Sequence, residues 1–445
     1  MKSNKPNIIF IISDDHRHDA IHSIGNNDIL TPILDSLINN GVAFTGTHIM
    51  GGLSGAVCMP SRASVHSGVN IFRSGGEQSI NPELSLMPEV LRNHSYHTYA
   101  VGKWHNDNSS FMRSFSGGSN LFFGGMCGHY EVPLHDFNPN GDYPKSSSRK
   151  MNKHSAELFT DAAVDFLDSY KQEDPFFLYL AYTSPHDPRT APQEYADLYD
   201  PAQIKLPDNF MEQHPFDNGA LRIRDEELAG FPRTREEVGQ HLADYYAMIT
   251  HMDAQIGRVL EALKESGKLD QTIIIYTADH GLAVGQHGLL GKQNMYDHSV
   301  RIPLIMNGPG LPKEKRIEGL CYQMDIFPTV CELVDIPKPS TVEGVSLCGM
   351  INDQDEKHRV SVYSVYRDFQ RMVKNDRYKL IRYYRVESEQ LGTDSIQLFD
   401  LQDDPWELTD LSKDLQYQEI LNDLVREMEI WQKRVNDPLA GMPNQ

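Results

Sequence analysis

Asn7-Ile-Ile-Phe-Ile-Ile-Ser13, followed at once by Asp14-Asp15-His16, is the stretch that decides the fold. Its large apolar residues run on without polar alternation, the mark of a strand covered on both faces, and such strands belong to parallel sheets packed between helices. Two runs of the same kind follow. Phe176-Phe-Leu-Tyr-Leu-Ala-Tyr182 ends at Ser184-Pro-His-Asp187, and Thr272-Ile-Ile-Ile-Tyr-Thr277 ends at Ala278-Asp-His-Gly281. Residues 98–101 enter the sheet before Gly102-Lys-Trp-His105, and 301–306 supply another strand. Helical patterns lie between them at 31–41, with Thr31 as N-cap and Pro32 in the first turn, and at 156–170, 242–263 and 324–333. This alternation predicts a large multilayer α/β/α domain over residues 1–351, with ligands bound outside the carboxyl ends of its strands.

The texture changes after Pro337-Lys-Pro339. Short strand-like pieces at 360–366, 378–384 and 397–399, and an amphipathic helix near 419–431, predict a smaller α+β domain over 352–445 that completes the substrate cleft. Residues 188–238 show no period and several Pro or Gly breaks, and a loop of that length is uncommon without a binding role. Gly117-Gly118 and Gly124-Gly125 read as turns, and the acidic stretch 400–410 as a solvated turn without the spacing of a calcium loop.

Composition sets outer limits. The 41 basic and 62 acidic residues leave a formal charge of -21, which opposes nonspecific nucleic-acid binding. No apolar run reaches the roughly 20 residues of a membrane span. As written, the chain reads as soluble and cytoplasmic, or as periplasmic or secreted if an export leader has been removed. Five scattered cysteines form no disulfide framework; Cys127, Cys321, Cys331 and Cys348 read as structural thiols. Oligomeric state is not legible.

The polar strand endings carry the chemistry. Asp14 and Asp15 follow one strand, Asp279 and His280 another, and the four side chains converge if those strands are parallel neighbours. Carboxylates suit Ca²⁺ or Mg²⁺, while a histidine admits a transition metal. Either pair alone also reads as helix caps or solvated loop residues; the matched contexts favour a metal. Cys58-Met-Pro-Ser-Arg62 is preceded by Gly51-Gly52 and Gly55, and Arg62 has the fork geometry to hold an oxyanion. With no cysteine-protease pairing evident, Cys58 by itself reads as a core thiol at least as readily as a nucleophile. Lys103, His105, His186 and Lys292 sit after strands or in Gly-rich connections, where solvated lysines and structural histidines also occur.

Taken together in this order, Asp14-Asp15, Cys58-Met-Pro-Ser-Arg62, Gly102-Lys-Trp-His105, Ser184-Pro-His186, Asp279-His-Gly281 and Gly291-Lys292 resemble the type I sulfatase family of the alkaline-phosphatase superfamily, its bacterial carbohydrate sulfatases included. The likeness extends to Gln397-Leu-Phe-Asp-Leu-Gln-Asp-Asp-Pro405. His66, Ser67 and His280 depart from the family's usual leucine, threonine and asparagine.

The resemblance implies that Cys58 is oxidised to formylglycine by a maturation enzyme and then hydrated. It also implies a divalent cation, Ca²⁺ first with Mg²⁺, Mn²⁺ or Zn²⁺ compatible, held by Asp14, Asp15, Asp279, His280 and the oxygen derived from Cys58. Arg62 would fix the hydrate, Lys103 and Lys292 neutralise sulfate oxygens, His105 accept a proton and His186 protonate the leaving oxygen. The expected substrate is a sulfated saccharide, such as a glycosaminoglycan fragment, with Arg149, Arg189 and Arg367 as candidate contacts to a carboxylate or second sulfate. A phosphonate monoester or phosphodiester hydrolase on the same core is the second enzyme reading, and a noncatalytic sulfated-glycan-binding protein the third.

Overall fold

The computed structural model describes residues 5–75, 77, 79–354 and 358–441. Its main sheet has eight strands in the order Lys315–Ile317, Val42–Phe44, Leu304–Asn307, Thr272–Ala278, Asn7–Ser13, Phe176–Ala181, His97–Lys103 and Gly117–Phe122. All run parallel except Leu304–Asn307, which is antiparallel to both neighbours. Asn7–Ser13 lies centrally and is buried along its whole length. Ile8, Phe10 and Ile12 pack on one face with Val65, Leu91, Trp104 and Phe327. Ile9 and Ile11 pack on the other with Phe159, Leu167, Met252 and Ile256. Each such side chain stabilises the fold by roughly 1.5–3 kcal/mol relative to exposure, which is why the unbroken apolar run dictates a two-faced strand.

Helices Ser155–Ser169 and Arg235–Glu265 cover the second face. Cys58–Ser67, Met87–Asn93 and Ile326–Leu333 lie on the first. At Pro32–Asn39, Thr31 occupies the N-cap position without capping through its hydroxyl. The Asp253 carboxylate of the long helix takes over, accepting the N–H groups of Ile33 at 3.0 Å and Leu34 at 2.8 Å.

A second sheet runs Ser395–Asp400, Tyr378–Tyr383, Gln370–Lys374, Val362–Tyr366 and Gly51–Gly52. The first four are antiparallel; Gly51–Gly52 joins Val362–Tyr366 in parallel. Gly51 has φ +88°, and a Cβ there would lie 1.9 Å from the Val365 carbonyl oxygen, so glycine is required where the segment before Cys58 enters this sheet. Helix Gln418–Val435 packs on the sheet through Leu424, Met428, Trp431 and Val435.

Two expectations are corrected. Gly117-Gly118 opens the edge strand Gly117–Phe122 rather than a turn. The 400–410 stretch is not solvated throughout: Asp400 pairs with Arg377, and Glu407 is buried against Lys379. Among the described residues no helix is long and apolar enough to cross a membrane.

Candidate active site

Ser13 and Ala278 are register partners, so Asp14 and Asp279 leave the sheet side by side. Asp279 donates its N–H to the Ser13 carbonyl, and Asp14 its own to that of Ser184 at the end of the adjacent strand. Asp15 holds φ +68°, an uncommon conformation for a residue with a side chain. Its N–H is directed to Asp279 Oδ1 at 3.2 Å. One ligand atom each from Asp14, Cys58, Asp279 and His280 fits within 4.8 Å of the others, as does the set Asp14, Asp15 and His186.

Cations are threaded through these acids. Lys103 follows Gly102, whose φ is +90° and where a Cβ would stand 2.0 Å from the Ala181 carbonyl oxygen. The ladder with Gly117–Phe122 shifts register at that point, as bulges that re-aim a side chain do. Lys103 Nζ reaches Asp14 Oδ2 and the Gly125 carbonyl. Lys292 Nζ lies 2.9 Å from Asp15 Oδ1 and 3.0 Å from His186 Nε2. Arg62, fully buried, donates from Nε to Asp279 Oδ2 at 2.9 Å and from Nη1 to the Lys103 carbonyl at 3.1 Å. Cys58 begins helix Cys58–Ser67, whose N-terminal N–H groups favour negative charge beside it. Its Sγ lies 3.1 Å from Nδ1 of His105, itself at φ +57°.

Charge balance here is unequal. Burial works against ionising Asp14, but Lys103, His186, Arg62 and Lys292 outweigh it and hold the carboxyl well below its usual range. Burial and the Asp14 charge push Asp279 the other way, up to about 6. Burial opposes the His280 cation, yet Asp279 and Asp15 raise its pKa to about 9. Burial also opposes the Cys58 thiolate, and His105 and Lys103 overcome it, holding the thiol well below its ordinary value.

The donor set fits a divalent cation. Among the described residues Asp14 Oδ1 and His280 Nε2 are buried without a hydrogen-bond partner. His280 Nδ1 faces the Gly281 carbonyl at 3.0 Å and Asp15 Oδ1 at 3.2 Å, an arrangement that keeps a proton on Nδ1, so a metal that displaces the second proton would find the lone pair on Nε2. A dication would also relieve the repulsion that raises Asp279.

Cys58, His105, His186 and Lys292 share a pocket of about 310 Å³ with Gly125, Met126, Arg224, Asp225 and Gln293. Arg149, Arg189 and Arg367 do not line it. Arg149 pairs with Asp136, Arg189 contacts His241, and Arg367 pairs with Glu389. The residues that sequence reasoning passed over are Arg224, Asp225 and Gln293. Arg224 and Asp225 lie in the aperiodic 188–238 segment, whose length was the signal that it held something. Of the other buried histidines, His16 bonds Tyr276 and the Ala20 carbonyl, His48 faces Lys374, and His66 packs between Trp104 and Tyr179.

A largely parallel α/β sheet whose strand ends bring together four side chains able to ligate a metal, two lysines, an arginine and two histidines beside one pocket suits the hydrolysis of esters of tetrahedral oxyanions. The sulfatase family model matches residues 6–336, and a model described as N-sulphoglucosamine sulphohydrolase, C-terminal, matches 285–434. The chain belongs to the sulfatase family, and with it to the sulfuric ester hydrolases of the alkaline-phosphatase superfamily. An N-acetylglucosamine-6-O-sulfatase of Bacteroides thetaiotaomicron is 24% identical over 514 residues, covering 98% of this chain and 88% of that protein. A structure solved in complex with its substrate D-glucosamine-2-N,6-O-disulfate superposes with TM-score 0.83 at 22% identity, covering 99% of this chain and 100% of the other. A phosphonate monoester hydrolase of Agrobacterium radiobacter superposes with TM-score 0.76 at 19% identity, covering 97% and 96%. At these identities the structural likenesses speak for the fold alone.

Proposed function

We propose that the protein hydrolyses a sulfate ester on a saccharide, with Cys58 converted to formylglycine by a maturation enzyme and a divalent cation, Ca²⁺ first, held by Asp14, Asp15, Asp279 and His280. The observation that carries this is the convergence of Cys58, Lys103, His105, His186 and Lys292 on one site, beside acids that retain an unpaired acceptor. The hydrated aldehyde would supply the attacking oxygen and the cation would polarise the sulfate oxygens.

The chain's own groups do the rest. Lys103 pairs with Asp14 and Lys292 with Asp15, and both would neutralise charge on the sulfate oxygens. Arg62, locked by Asp279 and the Lys103 carbonyl, fixes the start of the Cys58 helix. His105 Nδ1, in contact with the Cys58 side chain, accepts a proton there. His186 directs Nδ1–H to the Asp187 carbonyl at 2.7 Å and turns Nε2 to the Lys292 ammonium at 3.0 Å, so giving a proton from Nε2 to the departing alkoxide requires the doubly protonated ring.

A saccharide leaving group agrees with an open pocket lined by Arg224, Asp225 and Gln293, side chains suited to hydroxyls, and with the sugar substrates named for the relatives above. The test is turnover by matured, metal-loaded protein of sugar sulfates against matched phosphodiesters and phosphonates. Sulfate release should dominate. Efficient phosphonate or phosphodiester hydrolysis with negligible sulfate release across a broad sugar panel would reverse the assignment.

A further inference from the structure

Among the described residues Arg224 is the one arginine in the pocket wall, its side chain 45% exposed, and by charge alone it invites a second anionic group of the substrate. Its hydrogen bonds say otherwise. Nε donates to Asp225 Oδ1 at 3.1 Å. Nη2 donates to Asp225 Oδ1 at 2.7 Å and Asp187 Oδ1 at 2.8 Å. Nη1 donates to Asp187 Oδ2 at 2.5 Å and contacts the Met126 sulfur. A guanidinium has five N–H groups, and all five are engaged. Two carboxylates face one guanidinium here; Lys292 in the same pocket also acts on both acids but is matched by its own pairing with Asp15, so the rim itself carries an excess of about one negative charge.

The cluster is also braced. Gln293 Nε2 donates to Asp225 Oδ2 at 2.8 Å and to the Gly55 carbonyl at 2.9 Å, and Gln293 Oε1 receives the Lys292 N–H at 2.9 Å. The Asp187 and Asp225 side chains are only 7% and 12% exposed. Swinging Arg224 out to meet a sulfate would leave buried Asp225 with the Gln293 amide and buried Asp187 with His186 Nδ1 at 3.4 Å in place of a cation, a cost of the kind that disfavours ligands. What the wall still offers is carboxylate lone pairs, which accept sugar hydroxyls.

Resting on the saccharide sulfatase reading, we propose that the Asp187–Arg224–Asp225 rim reads neutral hydroxyls and discriminates against a second anionic group beside the scissile ester. The preferred substrate is then a sugar that carries a single sulfate and is uncharged at the positions facing Arg224 and Asp225.

The test uses matured, metal-loaded protein and sulfate release from a panel of monosulfated monosaccharides. The sugar turned over fastest is compared with its counterpart bearing a second O- or N-sulfate on a neighbouring carbon. kcat/KM should fall about tenfold or more for the disulfated sugar, the scale of one screened charge at close range, and the gap should narrow as ionic strength rises. Asp225→Asn should narrow the gap at least about threefold, and Arg224→Gln should widen it. The salt series needs no variant and so does not depend on whether either one folds. Equal or faster turnover of the disulfated sugar, or a gap indifferent to salt, overturns the inference while leaving the sulfatase reading intact. No turnover of any sugar sulfate, with brisk phosphodiester hydrolysis, overturns both.

Discussion

Two buried charge clusters in this molecule are built differently. At the junction of the two sheets, Asp297 has an ammonium for each oxygen: Lys379 at 2.8 Å from Oδ1 and Lys374 at 2.6 Å from Oδ2. Lys379 also pairs with Glu407 at 2.6 Å. At the strand ends, Lys103 meets one oxygen of Asp14 while the other has no partner among the described residues. Asp279, pressed between burial and Asp14, resists ionising. Both clusters depress an aspartate, Asp297 and Asp14, so a perturbed acid alone does not distinguish a strut from a site. An acceptor left over, beside a thiol and two histidines on a pocket, does. Buried carboxylates that each meet an ammonium fix two layers together, whereas the site combines paired acids with a free Asp14 oxygen and a free His280 nitrogen that a metal could take.

Substitutions can break this contrast. Cys58→Ala should reduce turnover by about 10⁴-fold or more, because it removes the nucleophile outright, with the melting temperature nearly unchanged. Chelation to a verified metal-free state should cost at least about 10³-fold in kcat and be reversed by Ca²⁺. Full activity without metal would show that the unpaired acceptor means nothing. Lys103→Met should lower kcat/KM by about 10²–10³-fold, while the protein keeps its cooperative unfolding. Lys379→Met should do the reverse, losing about 3–5 kcal/mol of stability by stranding Glu407 and leaving Asp297 with Lys374 as its one close ammonium, with kcat of the remaining folded protein within a few-fold of the parent. Exchanged outcomes for the two lysines would collapse the comparison.

A smaller effect comes from Asp253, a third buried acid held by backbone N–H groups of Ile33 and Leu34. Burial raises its pKa to about 7, above the value of an unfolded chain. Its contribution to stability is therefore complete below about pH 4 and is lost as pH rises through 7. Thermal melts of Asp253→Asn should show the variant gaining on the parent over that window, by at most about 4 kcal/mol, and no further above it.

The parts of this molecule that were legible in the sequence are those where a single physical demand fills a whole segment. Ile8–Ile12 and 272–277 could only be two-faced strands, and the acids at their ends had one place to go. Helix Cys58–Ser67 was not visible as a helix, because Ser61, Arg62, Ser64, His66 and Ser67 are buried all round it and leave no apolar stripe to read. Gly51–Gly52 gives no strand signal either; it enters the second sheet through a close backbone approach to Val365. The surface arginines named from sequence missed the pocket because loop geometry, not residue type, decides which of them arrives there. Arg224 arrives through a segment with no period, and its meaning is set by Asp187 and Asp225, a relation visible only in three dimensions.

In the active protein Cys58 should act as formylglycine and not as a thiol. Peptide mass analysis of protein taken from a sugar-sulfate turnover assay addresses this directly. The peptide containing Cys58 should be about 18 Da lighter than the unmodified sequence and should react with an aldehyde probe, in proportion to the active fraction. Full sulfate-releasing activity from protein whose Cys58 is an intact thiol would contradict it.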